Sequence, residues 1–365
     1  MYKRQLELRR AWGISDSPAE PHKQVHFAAP SSRAQLPLVY RRLFSDQAID
    51  TRELLHGREH LLESARSVLQ DRRAGRLRAV AVVGLSGTGK RAVIQALRRG
   101  FDAQRVIEHT ADAPVSAATV QGWFDGTEGR LHLVDDVQWL FSLAPGGLSP
   151  IRALIRGIVE DRGRNAWLLR IDEPLWHALL PLTAIEHAPP TLVHLDPLDS
   201  ADLQRAVRAR HEMSGHALGF EPGAHAGESA SPLSTDEAAE QRWFDGLHAA
   251  SNGIIRDALN LWAASVTHID EDGGEVRVGR IPSPPFDAIR QLDDRTLLLL
   301  RLGMRQGWLT SPLVAGAFGI DTDEAQARLA ELVHRGLLRT SEQAFELPEH
   351  LVGPIHRVLS ERRWA

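Results

Sequence analysis

Lys90 closes the segment Gly84-Leu85-Ser86-Gly87-Thr88-Gly89-Lys90 and is the only lysine after Lys23. Every other basic residue beyond that point is an arginine. A lysine at the end of a glycine-rich loop can place a point charge on the outer phosphates of a nucleotide. The glycines let successive backbone N–H groups turn inward around an anion, and the N-terminus of a following helix adds partial positive charge. Gly84, Leu85, Ser86, Gly87, Thr88, Gly89 and Lys90 are therefore candidate phosphate contacts. The next residue should be Ser or Thr, whose hydroxyl ligates Mg²⁺. It is Arg91, followed by Ala92. Arginine cannot coordinate a cation, so nucleotide binding is better supported than metal-assisted hydrolysis. A serine-hydrolase elbow, G-x-S-x-G, is excluded because Thr88 stands where its second glycine belongs.

A second chemical signal is Asp135-Asp136, which follows the apolar run Leu131-His132-Leu133-Val134. Two carboxylates ending a strand often form only a turn or a cap. Downstream of a phosphate loop, the first can hold Mg²⁺ and the second can orient or deprotonate an attacking water. Asp135 is the candidate metal ligand. Arg170 ends another apolar run, expected to lie between the two motif strands, where a cation can sense a γ-phosphate. Arg256 opens a helix in the second half of the chain and could reach across to the phosphates. The histidines of His211-Glu212-Met213-Ser214-Gly215-His216 are five apart rather than four. On a helix they diverge by ~140°, so no zinc-protease site is read there.

These groups need elements to position them. Ala79–Val83, Arg105–His109, Leu131–Val134, Ala166–Ile171 and Thr191–Leu195 read as strands, and the segments between them carry helical spacing. Strands alternating with helices predict a mainly parallel α/β sheet flanked by helices, with ligands at the carboxyl ends of the strands. From Asp196 the strands are expected to stop. Asp199–His211, Thr235–Ala250 and Ile254–Val266 read as helices of a lid, Gly219–Ser234 as a loop, and Gly273–Pro285 as a linker with a short strand candidate at Glu275–Val278. The last 80 residues read helix, helix, helix, two short strands, helix, which is winged-helix order. The expected domains are a lead-in over 1–40, a core over 41–195, a helical lid over 196–285 and a winged helix over 286–365.

Composition narrows the field. The chain is 43% hydrophobic and 25% charged, the balance of an ordinary globular protein. It has no cysteine, which excludes disulfides and thiol chemistry and fits the cytoplasm. No apolar run approaches the length of a membrane span. The net charge of −4 provides no basic footprint for nucleic acid. Residues 286–365 hold ten arginines against eleven acidic residues. Their would-be recognition helix opens with Asp321, Asp323 and Glu324. Carboxylates facing a phosphate backbone are repelled, so charge disfavours DNA and favours a protein partner for this region. Met1-Tyr2-Lys3-Arg4-Gln5 reads as a translated adapter end, which suggests a piece of a longer protein.

On these motifs the chain resembles STAND/AAA+-type P-loop ATPases, the class of signal-transduction and origin-initiator ATPases. Gly57-Arg58-Glu59 resembles the box ahead of the loop, whose backbone lies near the adenine. Gly84–Lys90 resembles Walker A, and Asp135-Asp136-Val137-Gln138-Trp139 resembles the D-D-x-x-W form of Walker B. Arg170 matches the strand-end sensor, and Gly253–Ala258, with Arg256, resembles the lid motif that carries a second sensor arginine. The resemblance implies ATP or ADP bound between core and lid, and a nucleotide-set conformational switch. Arg91 departs from the pattern, and no Lys or Arg lies between Ile171 and Leu192 to act as an arginine finger. Both departures favour a slow or inactive ATPase with a weakened Mg²⁺ site. The alternatives are a pseudo-ATPase scaffold and a DNA-associated ATPase.

Overall fold

A computed structural model describes residues 27, 36–45, 57–71, 73, 76–135, 137–183, 185, 190–221, 236–270, 274–341 and 344–364. Five strands form one parallel sheet: β1 (Ala79–Gly84), β2 (Val106–His109), β3 (Leu131–Val134), β4 (Ala166–Asp172) and β5 (Thr191–Leu195), in the spatial order β2-β3-β4-β1-β5. The apolar runs are continuous because both faces are covered. Val80 and Val82 pack under helices Glu59–Gln70 and Lys90–Arg98. Ala79, Ala81 and Val83 face the opposite side, toward helices Ser149–Asp161 and Glu173–Leu179. This is a P-loop NTPase α/β fold. As expected, β4 lies between the two motif strands.

The expectation that strands stop at Asp196 is corrected. Ala217–Phe220 pairs in parallel with Glu275–Val278, which pairs antiparallel with Val266–Ile269. This small sheet covers helices Ser200–Glu212, Asp236–Ser251 and Ile255–Ser265 through a shared core that includes Trp243, Trp262 and Val276. Gly219 and Phe220, expected in a loop, lie in a strand, and 222–234 of that expected loop are outside the described residues. Most of the expected lead-in is also outside them. Within it, Tyr40 lies in helix Leu38–Leu43 and is buried against the lid, where its hydroxyl accepts from Trp262 Nε1 at 2.8 Å. His211 Nδ1 lies 3.2 Å from the same hydroxyl, so this histidine belongs to the lid core.

The C-terminal region runs through helices Asp294–Gln306, Ser311–Phe318 and Thr322–His334, strands Arg339–Thr340 and Phe345–Glu346, and helix Glu349–Glu361. The two short strands pair antiparallel. Asp293, Thr310 and Asp321 cap the three helices, each accepting from a backbone N–H of the first turn. The region packs on the core and the lid. Gly353 lies against the side chains of Asp257 and Ile254, so helix Glu349–Glu361 rests closely on helix Ile255–Ser265.

Inside the main sheet, His132 is fully buried, and its Nδ1 lies 2.9 Å from His109 Nε2. Trp167 stacks on His132 and Trp123 stacks on His109, each at 4.1 Å. Burial, then the nearby Arg130 charge, pushes His132 down to about 4. Burial, then His132, pushes His109 down to about 4 as well. The unfolded chain therefore binds more protons than the folded one from about pH 6.5 down to about 4, and stability must fall as pH falls through that window. His132 alone contributes a slope of up to ~1.4 kcal/mol per pH unit. Denaturant melts at pH 7.5, 6 and 5 should show the decline, and His132→Phe should flatten it. An unchanged slope in that variant would remove His132 from the account.

Candidate functional site

The loop after β1 wraps the N-terminus of helix Lys90–Arg98. Gly87 has φ +92°, and a Cβ there would lie 2.8 Å from Ile254 Cγ2 and 3.0 Å from Arg256 Cζ. Only glycine supplies both the left-handed backbone and the close approach of the lid helix. Gly84 pairs with Asp172 on one side and Leu195 on the other. Thr88 turns inward, its hydroxyl donating to Leu85 O at 2.9 Å. Lys90 is buried. Its Nζ donates to Gly84 O at 2.8 Å and Leu85 O at 2.7 Å, and pairs with Asp172 Oδ1 at 2.8 Å. Burial pushes the Lys90 amine below its ordinary value, with Asp172 opposing. Burial also pushes the Asp172 carboxyl up, but Lys90, Arg170 and Arg256 more than offset it and hold it low.

The expected residues converge on this loop from three segments. Arg170 Nε donates to Asp135 Oδ1 in a close ion pair across β4 and β3. Asp136 lies outside the described residues. Arg256 is buried: its Nη1 donates to Ser86 Oγ at 2.9 Å, its Nη2 to Glu349 O at 2.6 Å, and its Nε to Asp257 Oδ1 at 3.2 Å. Its backbone N–H donates to Gly87 O at 3.1 Å. The ion pair with Asp257 is thus inside the molecule, not on its surface. One guanidinium joins the loop after β1, helix Ile255–Ser265 and the first turn of helix Glu349–Glu361.

Gly57 and Arg58 are not among the residues lining the cavity beside the loop; they pack against the segment that follows β5. A Cβ on Gly57, which has φ +70°, would lie 2.4 Å from Asp202 Oδ2. Arg58 is buried and donates to Asp196 O, so this box ties the core to the start of the lid. Burial pushes its guanidinium below the ordinary value, against Asp196 and Asp202.

A cavity of about 160 Å³ opens beside the loop, with Ser86, Gly87, Gly89 and Lys90 in its wall. Arg91, Arg170, Arg210 and Arg256 line it too, with Glu349. Sequence reasoning missed Asp172, Arg210 and Glu349. Asp172 becomes visible only when β4 is set in register with Gly84. Arg210 looks like any arginine on a helix until helix Ser200–Glu212 turns it toward Leu43, whose carbonyl accepts from its Nη1 at 2.9 Å.

No family model matches this chain, and no curated protein matches it in sequence. Solved structures share its general path. The Aeropyrum pernix Orc1 protein in complex with DNA aligns with a TM-score of 0.45 and 16% identity, covering 89% of this chain and 97% of that one. The Thermotoga maritima RuvB Holliday junction branch migration motor aligns at 0.40 and 14%, covering 87% and 98%. A Walker-type ATPase of Pyrococcus abyssi aligns at 0.41 and 12%, covering 86% and 99%. What the site can do is therefore read from its own side chains.

Proposed function

We propose that the chain binds ATP or ADP with its phosphates at Gly84–Lys90 and acts as a nucleotide-dependent conformational switch of the STAND/AAA+ kind, with hydrolysis slow at best. The observation that carries this reading is Arg256, which holds Ser86 of the loop and Glu349 of the last helix with one guanidinium. A phosphate entering the cavity competes for that guanidinium, so occupancy and the seating of the last helix are linked. Gly84, Leu85, Ser86, Gly87, Thr88, Gly89 and Lys90 cradle the phosphates, Gly57 and Arg58 border the base, and Asp135, Asp136, Arg170 and Arg256 respond to the outer phosphate. The division into core 41–195, lid 196–285 and winged helix 286–365 follows the same logic.

Titrating ATP and ADP into the full chain while following hydrogen exchange tests this. Binding should saturate, protect 84–91 and change protection at 349–353. Saturable binding with no change in the last helix would leave a nucleotide-held scaffold instead of a switch. Arg91 bears on hydrolysis in either reading, because the loop lacks the hydroxyl that metal-assisted hydrolysis uses. The exposed Asp321 and Asp323 at the head of helix Thr322–His334 favour a protein partner over DNA for the C-terminal region. Among the described residues, no helix is long and apolar enough to cross a membrane.

A further inference from the structure

We propose that this site takes the polyphosphate of a nucleotide free of Mg²⁺, with Arg91 and Arg210 supplying the charge that a metal ion otherwise supplies. The inference rests on the nucleotide-binding reading above and goes beyond it by naming the ionic form of the ligand.

Magnesium needs oxygen ligands in near-octahedral array. The donor set here does not fit it. Arg91 occupies the first-turn position from which a hydroxyl would reach the metal, and it brings a positive charge instead. Asp135 is engaged by Arg170, and Asp172 by Lys90. Among the described residues the cavity wall carries Lys90, Arg91, Arg170, Arg210 and Arg256 with the carboxylate of Glu349, and Asp172, Asp135 and Asp257 pair with Lys90, Arg170 and Arg256. The charge of Arg91, which no carboxylate among the described residues pairs with, disfavours a divalent cation beside it.

The same wall fits bare phosphate. Guanidinium is always charged, and its planar fork pairs with phosphate oxygens two at a time. Arg91 is exposed on helix Lys90–Arg98 and makes no ion pair among the described residues, so it can turn to a ligand without breaking one. Arg210 comes from helix Ser200–Glu212 and lines the same cavity, so a second element contributes a cation to the wall. The volume of about 160 Å³ is below the ~300 Å³ at which small-molecule pockets begin and suits a phosphate chain better than a whole nucleotide. Metal-free nucleotide carries more negative charge than its magnesium complex, and a wall of guanidiniums prefers the more highly charged form.

Calorimetric titration of ATP and of ADP into the full chain, in EDTA and in excess Mg²⁺, tests the proposal. The wild type should bind about tenfold more tightly in EDTA. Arg91→Ala should lose about tenfold in EDTA while its thermal melt stays at the wild-type position, because the side chain is exposed. Arg91→Thr should shift the preference toward the magnesium complex. Tighter wild-type binding in Mg²⁺ would overturn this inference and leave nucleotide binding intact. So would an Arg91→Ala chain that holds free nucleotide as tightly as the wild type. No binding by folded protein in either buffer would overturn both.

Discussion

An Asp172→Asn chain binds ATP and ADP more tightly than the wild type, whereas a Lys90→Ala chain binds neither measurably. Both expectations come from where the Lys90 ammonium rests. It donates to two carbonyls of its own loop and pairs with Asp172 at 2.8 Å, almost out of water. To serve a phosphate it must leave that carboxylate. Asparagine keeps the shape and an acceptor oxygen but removes the charge that competes with the ligand and repels it. The gain should be about tenfold in affinity, the size of one charge-assisted contact. The empty protein should lose ~1–3 kcal/mol of stability, since a buried ammonium is left with carbonyls alone. Saturating nucleotide should restore it by mass action.

The variant should also acquire a pH dependence. Burial already pushes Lys90 down and Asp172 opposes that push. Without the carboxylate the amine falls further, so tight binding is present at low pH and lost as pH rises through the lowered value. Titrations of both variants at pH 7 and pH 9, with thermal melts as fold controls, check the set. A folded Asp172→Asn chain with unchanged affinity would show that Asp172 does not compete for the lysine.

The loop and its lysine were legible in the sequence because each depends on local order. Arg170 was placed on the right strand, but the strand runs on to Asp172, which takes the end position opposite Gly84. A run of small β-branched residues, a glycine loop and a lone lysine need no tertiary information to be placed together. Asp172 was not legible, because its meaning lies in the pairing Gly84↔Asp172, which joins residues far apart in the chain. The lid sheet escaped for a related reason. Ala217–Phe220 is four residues long, leads toward glycine- and proline-rich sequence, and finds its partner only at Glu275–Val278. Its strand character comes from that distant partner and not from local propensity. Arg256 lies in the first turn of a helix as its sequence suggested, but its contact with the Glu349 carbonyl depends on how helix Glu349–Glu361 packs.

Trp308→Ala should cost ~3–5 kcal/mol, the range for truncating a large buried aromatic. Trp308 follows helix Asp294–Gln306 and is 5% exposed. Its ring stacks on Trp139 at 5.2 Å and 13°, and its Nε1 donates to Gln138 O at 3.2 Å. Gln306 reinforces the seam, accepting from the backbone N–H of Leu143 at 3.3 Å. Gln138 and Trp139 lie in the short turn Val137–Leu140, just beyond Asp135. The C-terminal region therefore grips the core directly behind the acidic strand end, and it reaches the phosphate loop through Glu349 on its last helix. Releasing the first grip should weaken the second. Urea unfolding should shift to a lower midpoint, and the C-terminal region should melt before the core. Trp308→Phe, which keeps an aromatic stack but loses the N–H donor and part of the indole's buried volume, should recover part of the loss. Hydrogen exchange at 349–353 should rise in the alanine variant without added nucleotide. A Trp308→Ala chain within ~1 kcal/mol of wild type, with unchanged exchange there, would mean that the seam is incidental packing and that the last helix is held by the lid alone.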